Sequence, residues 1–229
     1  MKILAFDTTN STLSVAILFD QKLIAQKNLL ESNRQAEMLI PLIEECLKQA
    51  NIWYQDLDLI AFTNGPGSFT GIRVGYSCVK ALQIATSSPI VAVNSLEVIA
   101  NNYRSGNYDG EIYNKILVVS DARLGEFFVQ EFVIVGGEIE SIFEPVMIAA
   151  ADVVRFFPSE SFMLAGSAKL LIKMDLENVI VDNKEDFIDA KNIAFLAERK
   201  YLKNPNSTAE ALYIRQPKIS QRKTSTASS

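Results

Sequence analysis

The strongest chemical signal in the sequence is a glycine-rich segment between a strand pattern and a helix pattern. Residues 64–75 read NGPGSFTGIRVG. Glycines permit a tight turn, and the helix start behind them offers free backbone N–H groups to an anion. No Gly-Lys-Ser/Thr follows, so the segment is not a P-loop, and it misses the dinucleotide-binding spacing G-x-G-x-x-G by one residue. Two interpretations stay open: a structural turn, or a phosphate or nucleotide contact through Gly65, Gly67, Ser68 and Thr70.

Two aspartates could complete such a contact, because each ends the first strand of one half of the chain. Asp7, followed by Thr8 and Thr9, could hold a metal-bound nucleotide, or the three residues could cap a turn. Asp121 could face the phosphates together with Arg123, or the two could form an internal ion pair. An adenine pocket would need a further glycine-rich segment, and the late part of the chain offers only Gly166-Ser167.

The amino-acid composition excludes several classes of enzyme. The 229 residues include no histidine, which removes Ser-His and Cys-His nucleophile pairs and the usual zinc ligand sets. Cys46 and Cys78 lie in helix-like segments without C-x-x-C spacing, so we expect buried free thiols of a reducing compartment. We predict no catalytic residue, no metal site and no cofactor in this chain.

Charge and hydropathy limit the environment and the partners. The net charge of −5 argues against independent nucleic-acid binding, so a partner protein would make most of the contacts with RNA. The basic residues 215, 218, 222 and 223 could touch RNA phosphates or simply be solvated. The first apolar run ends at Asp7, too early for a signal peptide, and no run approaches the roughly 20 residues that span a bilayer. We therefore expect a cytoplasmic protein with no membrane contact.

The hydrophobic periodicity predicts the same order of elements, β-β-β-α-β-α-β-α, in both halves. In the first half we predict strands at 2–7, 12–19, 22–30, 57–63 and 90–93, with helices from a capping-box pattern at 32–35 to about 51, at 70–86 and from 95. In the second half we predict strands at 115–120, 126–135, 138–143, 162–165 and 178–181, and helices at 149–157, 167–174 and 189–202. This order predicts an α/β fold of two similar domains, residues 1–106 and 107–219, with mixed sheets, helices on both faces and a disordered tail at 220–229.

The first two helices carry features of a binding surface. The first helix has a wider apolar face than one sheet requires, and the second has a stripe of small residues that would let another helix approach. The ordinary alternative is packing against the protein's own sheet. The candidate interface residues are Met38, Leu39, Leu42, Ile43, Cys46, Gly71, Gly75, Cys78 and Ala85.

Several segments together resemble the TsaB (YeaZ-like) family. They are ILAFDTT at 3–9, GPGSFTGIRVG at 65–75, SLE at 95–97, DARLGE at 121–126 and YIR at 213–215. The resemblance spans residues 1 to about 219 and implies a tandem ribonuclease-H/actin-like (ASKHA) fold. It also implies a subunit of the bacterial machinery that makes threonylcarbamoyladenosine next to the anticodon of tRNA.

The resemblance further implies specific partners. The catalytic paralogue, TsaD, holds a metal through histidines and transfers threonylcarbamoyl from its adenylate to the tRNA adenine, and the ATPase TsaE joins the complex. ATP and metal are thus expected in partner subunits. TsaB-like proteins pair with TsaD through the helices of the first half, which carry over to residues 34–50 and 70–86. Many relatives open the first helix with a His-Ser pair where this chain has Gln35-Ala36.

The preferred hypothesis is a noncatalytic scaffold subunit of a tRNA threonylcarbamoyltransferase complex, and not a protease. The alternative is an independent ASKHA-type ATPase or phosphotransferase, with Asp7 and Asp121 flanking the phosphates. A third hypothesis is a homodimer that uses the same helices on itself.

Overall fold

A computed structural model describes residues 1–30, 34–172, 178–182 and 186–205. The first half follows the predicted order closely, because most of its strands are buried apolar runs and its two long helices have apolar faces. Its elements are β1 (Lys2–Asp7), β2 (Leu13–Phe19), β3 (Lys22–Leu29), α1 (Gln35–Ala50), a 3-10 turn (Tyr54–Asp56), β4 (Leu59–Gly65), α2 (Phe69–Thr86), β5 (Ile90–Asn94) and α3 (Ser95–Asn101). Pro41 lies within α1, which continues past it.

The second half repeats the strand order, but short 3-10 helices stand where the first half has α1 and α2. Its elements are β6 (Asn107–Tyr108), β7 (Glu111–Ile112), β8 (Lys115–Asp121), β9 (Glu126–Val135), β10 (Glu138–Ser141), β11 (Val146–Ala149), a 3-10 helix (Ala150–Phe156), β12 (Phe162–Ala165), a 3-10 helix (Lys169–Leu171), β13 (Val179–Val181) and α4 (Ala190–Lys203). Among the described residues, no helix is both long enough and apolar enough to cross a bilayer.

The two main sheets have the same topology, which confirms the predicted duplication. The first sheet has the order β3-β2-β1-β4-β5, and the second has β10-β9-β8-β12-β13 with β11 added beside β9. In both sheets the first three strands are antiparallel, and the fourth and fifth run parallel to the first. Asp7 and Asp121 therefore occupy equivalent places, at the carboxyl end of the first strand of each sheet.

Alternate residues of each strand face different hydrophobic cores. In β1, Ile3 and Ala5 belong to a core shared by both sheets, α3 and α4, whereas Leu4 and Phe6 join a core with α1 and α2. The residues of β8, the central strand of the second sheet, also alternate between two cores. One face of β8 joins the shared core, and the other packs on the 3-10 helix at Ala150–Phe156. Helices therefore cover both faces of the first sheet, as the sequence predicts.

Two predicted helices of the second half form 3-10 segments instead of α-helices. The prediction at 149–157 was wrong: the segment forms a 3-10 helix at Ala150–Phe156 directly after β11, and no side chain of the described residues caps its start, whereas Asn94 caps the equally short α3. At 167–174 the described part holds only the 3-10 helix Lys169–Leu171, and Ile172 is extended. The predicted capping residue Ser32, the YIR motif, the basic residues 215–223 and the tail at 220–229 lie outside the described residues.

Helix α4 joins the two halves. It packs against the inner face of the first sheet, although the strands before it belong to the second. At its start Gln26 donates a 2.8 Å hydrogen bond to the capping residue Asp189. Farther along, Lys200 forms a 2.6 Å ion pair with Glu97 of α3. The predicted boundary at 106/107 falls at the start of β6, between the strands of the first sheet and those of the second. It does not divide the helices in the same way, because α4 follows the boundary but packs on the first sheet.

A buried charged cluster closes the carboxyl-end side of the second sheet. Lys169 lies 2.8 Å from Asp186, and both side chains are almost fully buried. Tyr103 donates a 2.6 Å hydrogen bond to the same carboxylate, and Tyr108 donates one of 2.9 Å to Asp182. Burial and the Asp186 carboxylate raise the pKa of Tyr103, so this phenol stays protonated.

Candidate functional site

The glycine-rich segment packs against the chain's own first turn. A β-carbon at Gly67 would lie 2.5 Å from the carbonyl oxygen of Thr9, and one at Gly75 would lie 2.6 Å from Thr8 Oγ1. A β-carbon at Gly71 would overlap the Thr8 carbonyl outright. These glycines are therefore required where α2 meets the end of β1, which is the structural interpretation of the segment.

The start of α2 is held by internal hydrogen bonds. Ser68 caps the helix by accepting a 3.3 Å hydrogen bond from the Gly71 N–H, and its own N–H donates to Thr9 O at 2.7 Å. Gly65, which has a φ of 111°, ends β4 and is buried. Thr70 is exposed at the first turn of α2. Of the candidate anion contacts in this segment, Ser68 and Gly67 thus serve the fold, and Thr70 faces outward.

Asp7 is fully enclosed. Its Oδ1 accepts hydrogen bonds from the Thr9 N–H at 3.0 Å, from Thr9 Oγ1 at 2.6 Å and from Thr63 Oγ1. Its Oδ2 is buried with no hydrogen-bond partner among the described residues. Burial raises the pKa of the Asp7 carboxyl, and the hydroxyl groups of Thr63 and Thr9 oppose that shift. This carboxyl organises the turn after β1.

Asp121 and Arg123 form a local pair at the end of β8. The Arg123 N–H donates to Asp121 Oδ1 at 2.7 Å, and the Arg123 guanidinium lies 3.6 Å from Oδ2. The Asp121 N–H donates to Ser167 Oγ at 3.0 Å, which ties the ends of β8 and β12 together. The ion-pair alternative weighed for these residues is thus present. Within the described ranges no three His, Cys, Asp or Glu side chains cluster as metal ligands.

An open groove of about 610 Å³ runs between α1 and α2 on the outer face of the first sheet. Apolar and small side chains dominate it, and Arg73 is its only charged residue. Its lining residues are Ala36, Leu39, Ile40, Phe69, Thr70, Arg73, Val74, Ser77, Cys78 and Ala81. A soluble protein that leaves an apolar groove between two helices has a surface suited to a partner.

The predicted interface residues divide between the groove and the core below it. Leu39 and Cys78 line the groove. Leu42, Ile43 and Cys46 are buried against the first sheet, and Met38 packs on the same core. Gly71 and Gly75 face Thr8 inside the protein, and Ala85 is exposed on α2 beyond the groove lining.

Sequence reasoning did not single out seven of the residues that line the groove. They are Ala36, Ile40, Phe69, Arg73, Val74, Ser77 and Ala81. The spacing of Ala36 and Ile40, and of Arg73, Ser77 and Ala81, is four residues and places each set on one helix face. In the structure, the wide apolar stripe of α1 packs on the protein's own sheet through Leu42, Ile43 and Cys46.

Both cysteines are free, as the sequence predicts, and burial raises the pKa of each thiol to about 11. Cys46 is buried in the core, and Cys78 is half-buried in the groove wall. A thiol with this pKa is a poor nucleophile at neutral pH. Neither cysteine is a candidate catalytic group.

Comparisons with known proteins agree with the fold and the motifs. A family model described as TsaD, tRNA N6-adenosine threonylcarbamoyltransferase, matches residues 29–212. The chain is 30% identical over 182 residues to the tRNA threonylcarbamoyladenosine biosynthesis protein TsaB of Bacillus subtilis, covering 79% of this chain and 77% of that protein.

Solved structures support the same fold. YeaZ from Pseudomonas aeruginosa superposes with a TM-score of 0.77 at 23% identity, covering 89% of this chain and 93% of that one. An inorganic polyphosphate/ATP-glucomannokinase from Arthrobacter sp. strain KM superposes with a TM-score of 0.55 at 10% identity, covering 87% of this chain and 99% of that one. The predicted actin-like (ASKHA) fold is therefore confirmed, and the chain belongs to the TsaB (YeaZ-like) family.

Proposed function

We propose that this chain is a noncatalytic subunit that binds a TsaD-type catalytic subunit through the groove between α1 and α2. Its family acts in tRNA threonylcarbamoyladenosine biosynthesis. The observation that carries the proposal is the groove itself, an exposed apolar surface formed by the two helices for which the family resemblance implies a partner. The partner would cover side chains such as Ile40, which is 43% exposed.

A noncatalytic role is supported by the chemistry of the side chains. The sequence holds no histidine, and burial leaves the two thiols protonated at neutral pH. The Asp7 carboxylate, the best candidate for contact with a metal-bound nucleotide, is enclosed by the hydroxyl groups of Thr9 and Thr63. The chemical groups for threonylcarbamoyl transfer, together with ATP and metal, would then reside in the partner subunits.

The wider assembly follows from the same reasoning. The net charge of −5 makes strong tRNA binding by this chain alone unfavourable, so tRNA would be held mainly by the complex. A TsaE-type ATPase would join the pair, as the family resemblance implies. The protein would work in the cytoplasm, where its free thiols remain reduced.

The decisive experiment is a reconstitution. Purified TsaD-type and TsaE-type subunits are supplied with threonylcarbamoyl-adenylate, ATP and tRNA, and modified adenosine is measured with and without this chain. The proposal expects product only when this chain is present, and none from this chain alone. Turnover by the isolated chain, or full activity without it, would overturn the proposal.

Two further measurements separate the alternatives. Calorimetric titration of the isolated chain with Mg-ATP tests the independent ATPase or phosphotransferase, since tight binding would favour it. Light scattering with and without the TsaD-type subunit tests the homodimer. If two copies of this chain use the same groove, added partner should replace the homodimer with a heterodimer.

A further inference from the structure

The groove between α1 and α2 combines an apolar lining with a single cation. Arg73 is the only charged residue among those that line it, and its side chain is exposed. The remaining lining is aliphatic, aromatic or small, apart from the hydroxyl groups of Thr70 and Ser77. The electrostatic character of this surface therefore depends on one guanidinium.

That guanidinium is held in place but has no counterion. Its Cζ lies 3.9 Å from the centroid of the Phe69 ring, one helical turn earlier on α2, in a cation–π contact. Across the part of the chain that the structure describes, no carboxylate forms an ion pair with Arg73. The acid in the first turn of α1, Glu37, is instead bound by Arg34 through two hydrogen bonds of 2.8 and 2.6 Å.

Covering the groove would change the energetics of Arg73. A partner that packs on the apolar lining also removes the guanidinium from water, and an uncompensated charge at an interface is unfavourable. A carboxylate from the partner compensates it best, since the planar fork of arginine matches a carboxylate with two parallel hydrogen bonds. The stacking on Phe69 limits the motion of the side chain and reduces the entropy lost on pairing.

We propose that the groove takes an α-helix of the TsaD-type subunit whose apolar face carries a carboxylate that pairs with Arg73. The inference rests on the proposed function and specifies the partner's chemistry. On α2 the lining extends from Phe69 to Ala81, about 18 Å at 1.5 Å per residue, which is the length of roughly three helical turns.

The test compares two cations of the same helix. Lys80, like Arg73, lies over the aromatic ring four residues earlier, 5.5 Å from the centroid of Tyr76, but it does not line the groove. The dissociation constant of the complex with the TsaD-type subunit is measured by calorimetry for the wild-type chain, Arg73→Glu, Arg73→Gln and Lys80→Glu. Thermal unfolding of each variant alone checks that the fold is kept.

We expect Arg73→Glu to weaken binding by about a hundredfold and Arg73→Gln by about tenfold, with Lys80→Glu changing it less than about threefold. Charge reversal of the paired acid on the partner should restore much of the affinity of Arg73→Glu. Equal effects of Arg73→Glu and Lys80→Glu would overturn the inference while leaving the proposed function standing. Failure of the wild-type chain to bind would instead overturn the proposed function, and the inference with it.

Discussion

Thr8 Oγ1 donates a 2.7 Å hydrogen bond to the carbonyl oxygen of Gly71 and thereby joins the end of β1 to the first turn of α2. The contact is buried, and it exists only because residue 71 has no side chain. The segment that most resembled an anion-binding loop is thus the point at which the first strand and the second helix meet.

Replacing Gly71 with alanine should destabilise the protein by about 1–3 kcal/mol, because the new β-carbon would overlap the Thr8 carbonyl and force the two elements apart. Urea unfolding measures the loss. Ser77→Ala on the exposed face of the same helix is the matched control and should change the unfolding free energy by less than about 0.5 kcal/mol. A tolerated alanine at residue 71 would show that the close packing is not required.

The buried Asp7 carboxyl predicts a pH-dependent stability. Burial raises its folded-state pKa above the ordinary value of 3.8, so between those two pKa values the folded chain holds a proton that the unfolded chain releases. Stability contributed by this group therefore falls as the pH rises through that window, by at most about 1.4 kcal/mol per pH unit.

Asp7→Asn removes this titration and imitates the protonated carboxyl. The unfolding free energy of the wild type minus that of Asp7→Asn should decrease from about pH 4 to about pH 7, as followed by urea unfolding. Asp109→Asn, at an exposed turn where the backbone has a φ of 51°, is the control for replacing an aspartate at the surface. A difference that rises with pH would mean that the hydroxyl groups around Asp7 outweigh its burial.

Lys169→Met should cost about 3–5 kcal/mol, because it leaves the Asp186 carboxylate buried without its cation. Lys200→Met breaks the ion pair with Glu97, in which the lysine is 40% exposed, and should cost less than about 1 kcal/mol. Thermal and urea unfolding of both variants make the comparison. If the two variants lost similar amounts of unfolding free energy, burial would not be what makes the Lys169–Asp186 pair important.

Ile40→Asp should weaken binding of the TsaD-type subunit by about tenfold or more without lowering stability, because Ile40 is an exposed wall of the groove. Ile112→Asp makes the same chemical change on β7, where the isoleucine is 78% exposed, and should leave affinity unchanged. Both are measured by calorimetry. Unchanged affinity of the Ile40→Asp variant would show that the TsaD-type subunit does not bind in this groove.

Burial predicts slow thiol chemistry. With a pKa of about 11 in place of the ordinary 9.0, each cysteine should react with iodoacetamide roughly a hundredfold more slowly than an exposed thiol near neutral pH. In a Cys46→Ala variant the remaining reaction reports on Cys78 alone, and added TsaD-type subunit should slow it further. Labelling that the partner leaves unchanged would place Cys78 outside the interface.

The strand order could be read from the sequence because it depends on local patterns. Runs such as residues 2–7 and 115–121 are largely apolar, and the return of the same order of elements indicated two similar sheets. The conformation of the short segments that connect strands in the second half was predicted less accurately. The segment at 149–157 is predicted as an α-helix, yet after β11 has paired with β9 the chain forms a 3-10 helix at Ala150–Phe156.

The sequence by itself determined that the chain cannot use imidazole chemistry, that the first helix has a wide apolar face and that the second has a stripe of small residues. Only the tertiary structure decided which of those residues stay at the surface of the groove. A helix pattern does not say which side the sheet covers, and here the sheet takes Leu42, Ile43 and Cys46 while Ile40 and Arg73 stay outside. Likewise, a glycine is compatible with a ligand or with a neighbouring backbone, and only the fold shows that Gly71 lies against the backbone of Thr8.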